Sequence, residues 1–231
     1  MRTTRLVAHT VTAGLAGFTP IAIAAPSQAA DSYETYTVAS PSDTQIVPRW
    51  DAEASRFSEE TVSIDVDVDS DTGFAPTGGT ATLLARRAGS TAWIPVAEST
   101  TSSPDFSAVK PRITTTYKVA FGGFTASDGD IYEPSESASF TVQVARRITY
   151  PVSGFVIKGR VKPNYDEKKI VIKVSKQQNS GYRSFTTITT TSAGKYKITL
   201  PRRGGYWYWR FAVKGDSRYL ANGFVWKTFV G

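Results

Sequence analysis

Asp65, Asp67, Asp69 and Asp71 alternate with apolar residues in one short run. Calcium is held by clusters of oxygen ligands, and alternating aspartates open many of its loops. The helix–loop–helix calcium signature fails here, because its glycine and its distal glutamate do not fall at the required offsets. On a strand these aspartates share one face, from which they could join Asp128 and Asp130 at the end of a sandwich around a calcium ion. The plainer alternative is a solvated acidic face that discourages edge pairing. No other metal and no cofactor is expected.

Ser192-Ala193-Gly194-Lys195 fits the Ser-x-x-Lys pattern of penicillin-recognising enzymes. In those enzymes the pattern opens a helix and has companion motifs. Here it falls on a turn before the alternating Tyr196 and Ile198, and no companion is found. Paired carboxylates can hydrolyse a glycoside. Residues 146–231 offer only Asp166, Glu167 and Asp216, and the acids of the first half spread along its surface. Nothing marks out an acid and a base. The single histidine, His9, and the single methionine, Met1, both precede residue 30, and cysteine is absent. Once a leader of that length is removed, a histidine-based triad and a cysteine nucleophile are excluded. The chain is therefore read as non-enzymatic.

The strongest binding signal is residues 204–216, Gly-Gly-Tyr-Trp-Tyr-Trp-Arg-Phe-Ala-Val-Lys-Gly-Asp. With a period of two, Trp207, Trp209, Phe211 and Val213 share one face, and Tyr206, Tyr208, Arg210 and Lys214 share the other. The second set carries charge, so the first is assigned to the core. Tyr206, Tyr208, Arg210 and Lys214, with Lys173 from a neighbouring strand, then form a candidate site for a glycan or polyanion. Exposed aromatics suit stacking and cations suit phosphate or carboxylate. The alternative is that the tyrosines merely cover their sheet, where β propensity favours them.

Charge separates the two halves. Residues 30–145 hold 7 basic and 17 acidic residues, a net −10; residues 146–231 hold 18 basic and 3 acidic residues, a net +15. A domain this basic reads as a contact surface for a polyanion. Outside a cell, the expected partner is an anionic cell-envelope polymer or a glycan. The competing partner is protein: an acidic domain docking on a basic one, within the chain or by self-association.

These residues must be held by strands. Residues 1–29 read as a secretory signal peptide, with basic residues, an apolar run and Ser27-Gln28-Ala29 before the cleavage point. A secreted or cell-wall-associated protein is expected, with no transmembrane segment once the signal is gone. Residues 30–43 read as a flexible leader. An acidic sandwich is expected over 44–145 and a basic one over 148–231. In the first, strands are predicted at 60–71, 81–87, 92–98, 105–109, 115–121 and 138–144. In the second they are predicted at 155–161, 170–176, 182–189, 195–200, 204–216 and 223–230. Short strands with turn signals every eight to twelve residues or so indicate a sandwich or barrel, and no stretch has helical periodicity. The run 82–87, a turn and Trp93 lies over 171–176, a turn and Tyr182, as an internal repeat.

The order of a Leu-Leu-Ala-Arg-Arg strand, Thr-Thr-Thr-Tyr-Lys-Val-Ala-Phe-Gly-Gly and Tyr-Glu-Pro-Ser-Glu-Ser-Ala-Ser-Phe-Thr-Val-Gln-Val resembles the bacterial immunoglobulin-like modules of secreted actinobacterial proteins. Ala-Gly-Lys-Tyr-Lys-Ile-Thr-Leu-Pro and Tyr-Trp-Tyr-Trp-Arg-Phe-Ala-Val-Lys-Gly-Asp-Ser-Arg-Tyr carry the likeness through the second half. The resemblance implies an all-β fold of two tandem Ig-like antiparallel β-sandwiches. It implies a spacer or binding role rather than catalysis.

Overall fold

A computed structural model describes residues 30–47, 50–51, 56–57, 60–163 and 165–231. The expected signal peptide at 1–29 lies outside the described residues. No described residue is helical.

The first half begins with β1 (Ser32–Tyr33), β2 (Thr35–Pro41) and β3 (Gln45–Ile46), then a short antiparallel pair, β4 (Trp50–Asp51) and β5 (Arg56–Phe57). β6 (Val62–Ser70), β7 (Ala81–Arg87), β8 (Ile94–Ser99), β9 (Asp105–Val109) and β10 (Thr115–Phe121) follow. β11 (Phe124–Thr125), β12 (Ile131–Tyr132), β13 (Ser135–Glu136) and β14 (Phe140–Val144) complete this half. One sheet has the order β2-β6-β9. The facing sheet runs β3-β14-β10-β7-β8, with β13 also on β10 and β3 parallel to β14.

The second half holds β15 (Arg147–Ile148), β16 (Val156–Lys162), β17 (Lys169–Ser175), β18 (Arg183–Thr189), β19 (Lys195–Thr199), β20 (Gly205–Val213) and β21 (Asn222–Val230). Its sheets are β15-β16-β19 and β18-β17-β20-β21. In both halves a sheet built on the first and middle strands faces one built on the central hairpins. That is the immunoglobulin-like arrangement.

Alternation explains the cores. On β6, Val62, Ile64, Val66 and Val68 point inward and are buried, and Asp65, Asp67 and Asp69 point out. Leu83, Val119, Phe121, Val142 and Val144 meet them from the opposite sheet. In the second half Ile157, Val161, Ile170, Ile172, Trp209, Phe211, Val213 and Trp226 make a separate core. Burying each such side chain stabilises the fold by about 1.5–3 kcal/mol relative to leaving it in water.

The expected flexible leader is a strand. β2 pairs with β6 along its full length, Thr35 opposite Ser70 through Pro41 opposite Ile64. Its pattern is inverted. Thr35 and Thr37 face inward and are buried, whereas Tyr36 and Val38 face out. The buried hydroxyls are satisfied: Thr35 Oγ1 donates to Glu133 O at 2.6 Å, and Thr37 Oγ1 lies 2.7 Å from Ser135 Oγ. Hydrogen bonding removes the cost of burying them. A reading based on apolar alternation misses such a strand.

The halves join through the loop after β20. Ala145 bridges Leu220 in parallel, and the Leu220 N–H donates to Val144 O at 2.9 Å. The Thr114 N–H donates to Arg218 O at 2.9 Å. Tyr219, from the second half, is buried within the first core.

Candidate functional site

β20 is a nine-residue strand between β17 and β21, so its side chains are fixed by neighbours on both edges. Its inner face is settled by size and apolarity. Trp209, Phe211 and Val213 are buried, and Trp209 Nε1 donates to Thr228 Oγ1 at 2.9 Å. Phe185 meets Trp209 edge-on at 4.9 Å, and Phe224 stacks on Phe211 at 4.6 Å.

Trp207 departs from the expected core set. It is half-buried at the rim, its Nε1 donating to Gly204 O at 3.1 Å. Arg203 lies 4.7 Å from its ring and Lys176 5.3 Å. It packs against the edge of the second core without being enclosed by it.

The outer face of this sheet carries the candidate residues. Tyr206 is 52% exposed, Arg210 and Lys173 are exposed, and Tyr208 is half-buried. Lys173 sits directly opposite Arg210, and Ser175 opposite Tyr208. Like charges directly opposite each other repel, and neither cation has an ion pair with a described residue. The structure adds three members. Phe229 lies opposite Tyr206 with ring centres 4.6 Å apart, Lys227 Nζ sits 4.2 Å from the Tyr206 ring, and Arg210 stacks on Tyr182 at 4.2 Å. Flat rings with cations against them offer π-faces to sugars or bases and N–H donors to oxyanions.

Lys214 stands apart from this group. It lies past the end of β20, eight residues beyond Tyr206, which places it about 27 Å away along an extended strand. Its backbone belongs to the junction: its N–H donates to Tyr165 Oη at 3.1 Å and its carbonyl accepts from Arg146 Nη1 at 3.2 Å. Phe229 and Lys227 were within reach of sequence reasoning. On β21, Val225, Lys227 and Phe229 alternate with Phe224, Trp226 and Thr228, and hairpin register sets them beside Tyr206, Tyr208 and Arg210.

The acidic candidates fall in two places. Asp65, Asp67 and Asp69 are spread along the outer face of β6, facing Ser40, Val38 and Tyr36, and Asp71 follows the strand. Asp128 and Asp130 serve their own loop. Asp128 Oδ1 accepts from the Asp130 N–H at 3.2 Å, and Asp130 Oδ1 from the Asp31 N–H at 3.0 Å. Among the described residues, no three of His, Cys, Asp and Glu are grouped so as to hold a metal ion. Ser192 and Lys195 flank a turn leading into β19, away from any helix. A cleft in the first sandwich is lined by Leu83, Phe106, Val109, Ile113 and Tyr117 together with Arg87, and its lining contains no Asp or Glu.

A buried charge lies at the junction instead. Arg146 is 1% exposed and stacks on Tyr219 at 4.5 Å and on Tyr165 at 5.0 Å. Its Nη2 donates to Asp216 Oδ2 at 2.6 Å, and its Nε donates to Pro163 O at 3.2 Å. Partial burial pushes the Asp216 carboxyl up. Hydrogen bonds from Arg146 and from the Arg218 and Tyr219 N–H groups outweigh it and bring the pKa down to about 2.

No protein-family profile matches this chain, and no curated relative matches it. Among solved structures it is similar to the human OSCAR ligand-binding domain, at 12% identity over 84% of this chain and 97% of that one, with a TM-score of 0.29. A likeness this slight carries no argument. The immunoglobulin-like assignment rests on the sheet order and the two cores. Among the described residues no helix is long and apolar enough to cross a membrane.

Proposed function

We propose that this protein is a secreted, non-enzymatic binding module of the bacterial immunoglobulin-like kind, which associates with an anionic cell-envelope polymer through its basic second half. One observation carries the reading. Tyr206, Phe229, Lys227, Arg210, Tyr182 and Lys173 form one exposed aromatic and cationic face, with Lys173 and Arg210 opposed and unneutralised by described residues. An anionic chain laid along that face relieves their repulsion and stacks its rings or apolar edges on the aromatics. The net +15 of residues 146–231 extends the attraction beyond the face itself. Two further features support a binding role over catalysis. The acids are dispersed, and the cleft of the first sandwich lacks a carboxylate.

The test is co-sedimentation of the full chain with purified Gram-positive-type cell walls, before and after extraction of their anionic polymers, across a salt series. Binding is expected to fall as salt rises, because polymer neutralised by protein releases its counterions. Lys173→Ala with Arg210→Ala is expected to reduce the slope of log affinity against log salt by about one to two. Tyr206→Ala is expected to remove binding that survives high salt, since stacking is not screened. Binding indifferent to both salt and polymer extraction rules the reading out.

A further inference from the structure

The remaining sheet of each sandwich has a charged outer face, and the two faces are of opposite sign. In the second half, Lys158 on β16 is directly opposite Lys197 on β19, and Arg160 is directly opposite Lys195. Side chains in such positions lie about 5 Å apart and repel when alike in charge. The four cations line one shallow concavity with Thr189 and Thr191, and its lining contains no acid. None of the four makes an ion pair with another described residue. Lys162, next on the same strand face, has its own partner, Asp166 at 3.8 Å.

In the first half, the outer face of β2-β6-β9 is the counterpart. Asp65, Asp67 and Asp69 stand along its middle strand, and Asp105 on β9 lies directly opposite Asp65. None of these four makes an ion pair with another described residue. Beside them Tyr36 and Val38 are 55% and 58% exposed, directly opposite Asp69 and Asp67. Exposed tyrosine and valine among charges make a mixed surface, apolar enough to lose water on contact.

Among the described residues no ion pair joins the two faces within one molecule; those at the junction are of Asp216 with Arg146 and Lys168. We infer that the acidic β2-β6-β9 face of one copy docks on the basic β16-β19 face of a second copy. The spacing suits this. Alternate residues on a strand are about 7 Å apart, so Asp65 and Asp67 of one copy match Lys158 and Arg160 of the next. The two surfaces differ, so the contact is head-to-tail. Each added copy leaves one acidic and one basic face free, and unless the rotation closes, the assembly is an open chain. Three strands of about seven residues cover roughly 14 by 20 Å, about 300 Å². That is well below the roughly 800 Å² per partner of stable complexes, so the contact is weak and multiplies only at high concentration or on a surface. It uses neither Tyr206 nor Arg210, and its fate is independent of the polymer-binding reading.

The experiment is sedimentation velocity of the full chain from about 10 μM to about 1 mM, in about 0.02 M and about 0.5 M salt, where screening lengths differ severalfold. The expected result is a mass that rises with concentration past the dimer in low salt and returns to monomer in high salt. Lys158→Glu with Lys197→Glu, and separately Asp65→Lys with Asp67→Lys, should each abolish growth while leaving the thermal melt cooperative. Mixed together, these two variants should form a salt-sensitive dimer and stop there, because the intact acidic face of the first meets the intact basic face of the second and the altered faces are left without net charge; a mixture that stays monomeric or grows past a dimer counts against the head-to-tail contact. A chain that remains monomeric throughout in low salt overturns the inference. So does growth that survives either pair of substitutions. If wild type stays monomeric and inorganic polyphosphate instead raises its melting temperature, with the effect lost in Lys158→Glu with Lys197→Glu, the basic face belongs to a polyanion and the inference is likewise overturned.

Discussion

Trp209 and Tyr208 are neighbours on β20 with different fates. Trp209 is fully enclosed and its indole N–H is bonded to Thr228, whereas Tyr208 lies half-buried on the outer face. Trp209→Ala is expected to destabilise the fold by about 3–5 kcal/mol, the usual cost of deleting a large buried aromatic. Tyr208→Ala is expected to cost clearly less in the same urea titration; the reverse order would reassign the faces of the strand. At the junction, Asp216→Asn leaves the Arg146 guanidinium buried without its anion. A loss of about 3 kcal/mol is expected, at the low end for breaking a buried pair because the carboxylate side is partly in water. Asp216 also sets a pH dependence. Its pKa is lowered in the folded state, from 3.8 to about 2, so the folded state favours the charged form. The stabilisation is complete above the ordinary value and is lost as pH falls through about 4 to about 2. Acid titration of wild type against Asp216→Asn should show the smaller pH dependence in the variant over that window.

At the scale of single elements, the acidic strand makes its own prediction. Asp65, Asp67 and Asp69 are about 7 Å apart in succession along β6, too far for adjacent carboxylates to share one ion closely, and Asp128 and Asp130 are engaged in their own loop. Millimolar calcium is expected to leave the melting temperature unchanged. A site filled at about a hundred times its dissociation constant would add about 2.7 kcal/mol, which a calorimetric melt would detect. Strands whose apolar residues alternate were legible in the sequence. β7, β9 and β10 begin and end where the pattern places them, because Leu83, Phe106 and Val119 have no favourable place but the interior. β2 was not legible, since its inward residues are threonines whose hydroxyls find Glu133 and Ser135 far along the chain. The site was legible in part. Period two places Tyr206 and Arg210 outside. It cannot show that Trp207 sits at an open rim, or that Lys214 is carried past the sheet into the junction, because both depend on where the sandwich ends.

Taken whole, the molecule is two sandwiches fastened by a small number of specific contacts. Arg146 is stacked between Tyr165 and Tyr219, and Tyr219 reaches into the first core. Tyr219→Ala is expected to lower the stability of both halves, by about 3 kcal/mol in total, and to turn one thermal transition into two in calorimetry. A single undivided transition in that variant would show that the junction's hydrogen bonds suffice to couple the halves. Tyr219 also bears on the order of synthesis. The first sandwich leaves the ribosome well before Tyr219 has been joined to the chain, and domains generally fold as they emerge. Its core therefore stays incomplete, with apolar surface uncovered, until Tyr219 itself has been made. A nascent chain stalled just before that tyrosine is exposed to proteases and to sticking at a place the finished protein conceals.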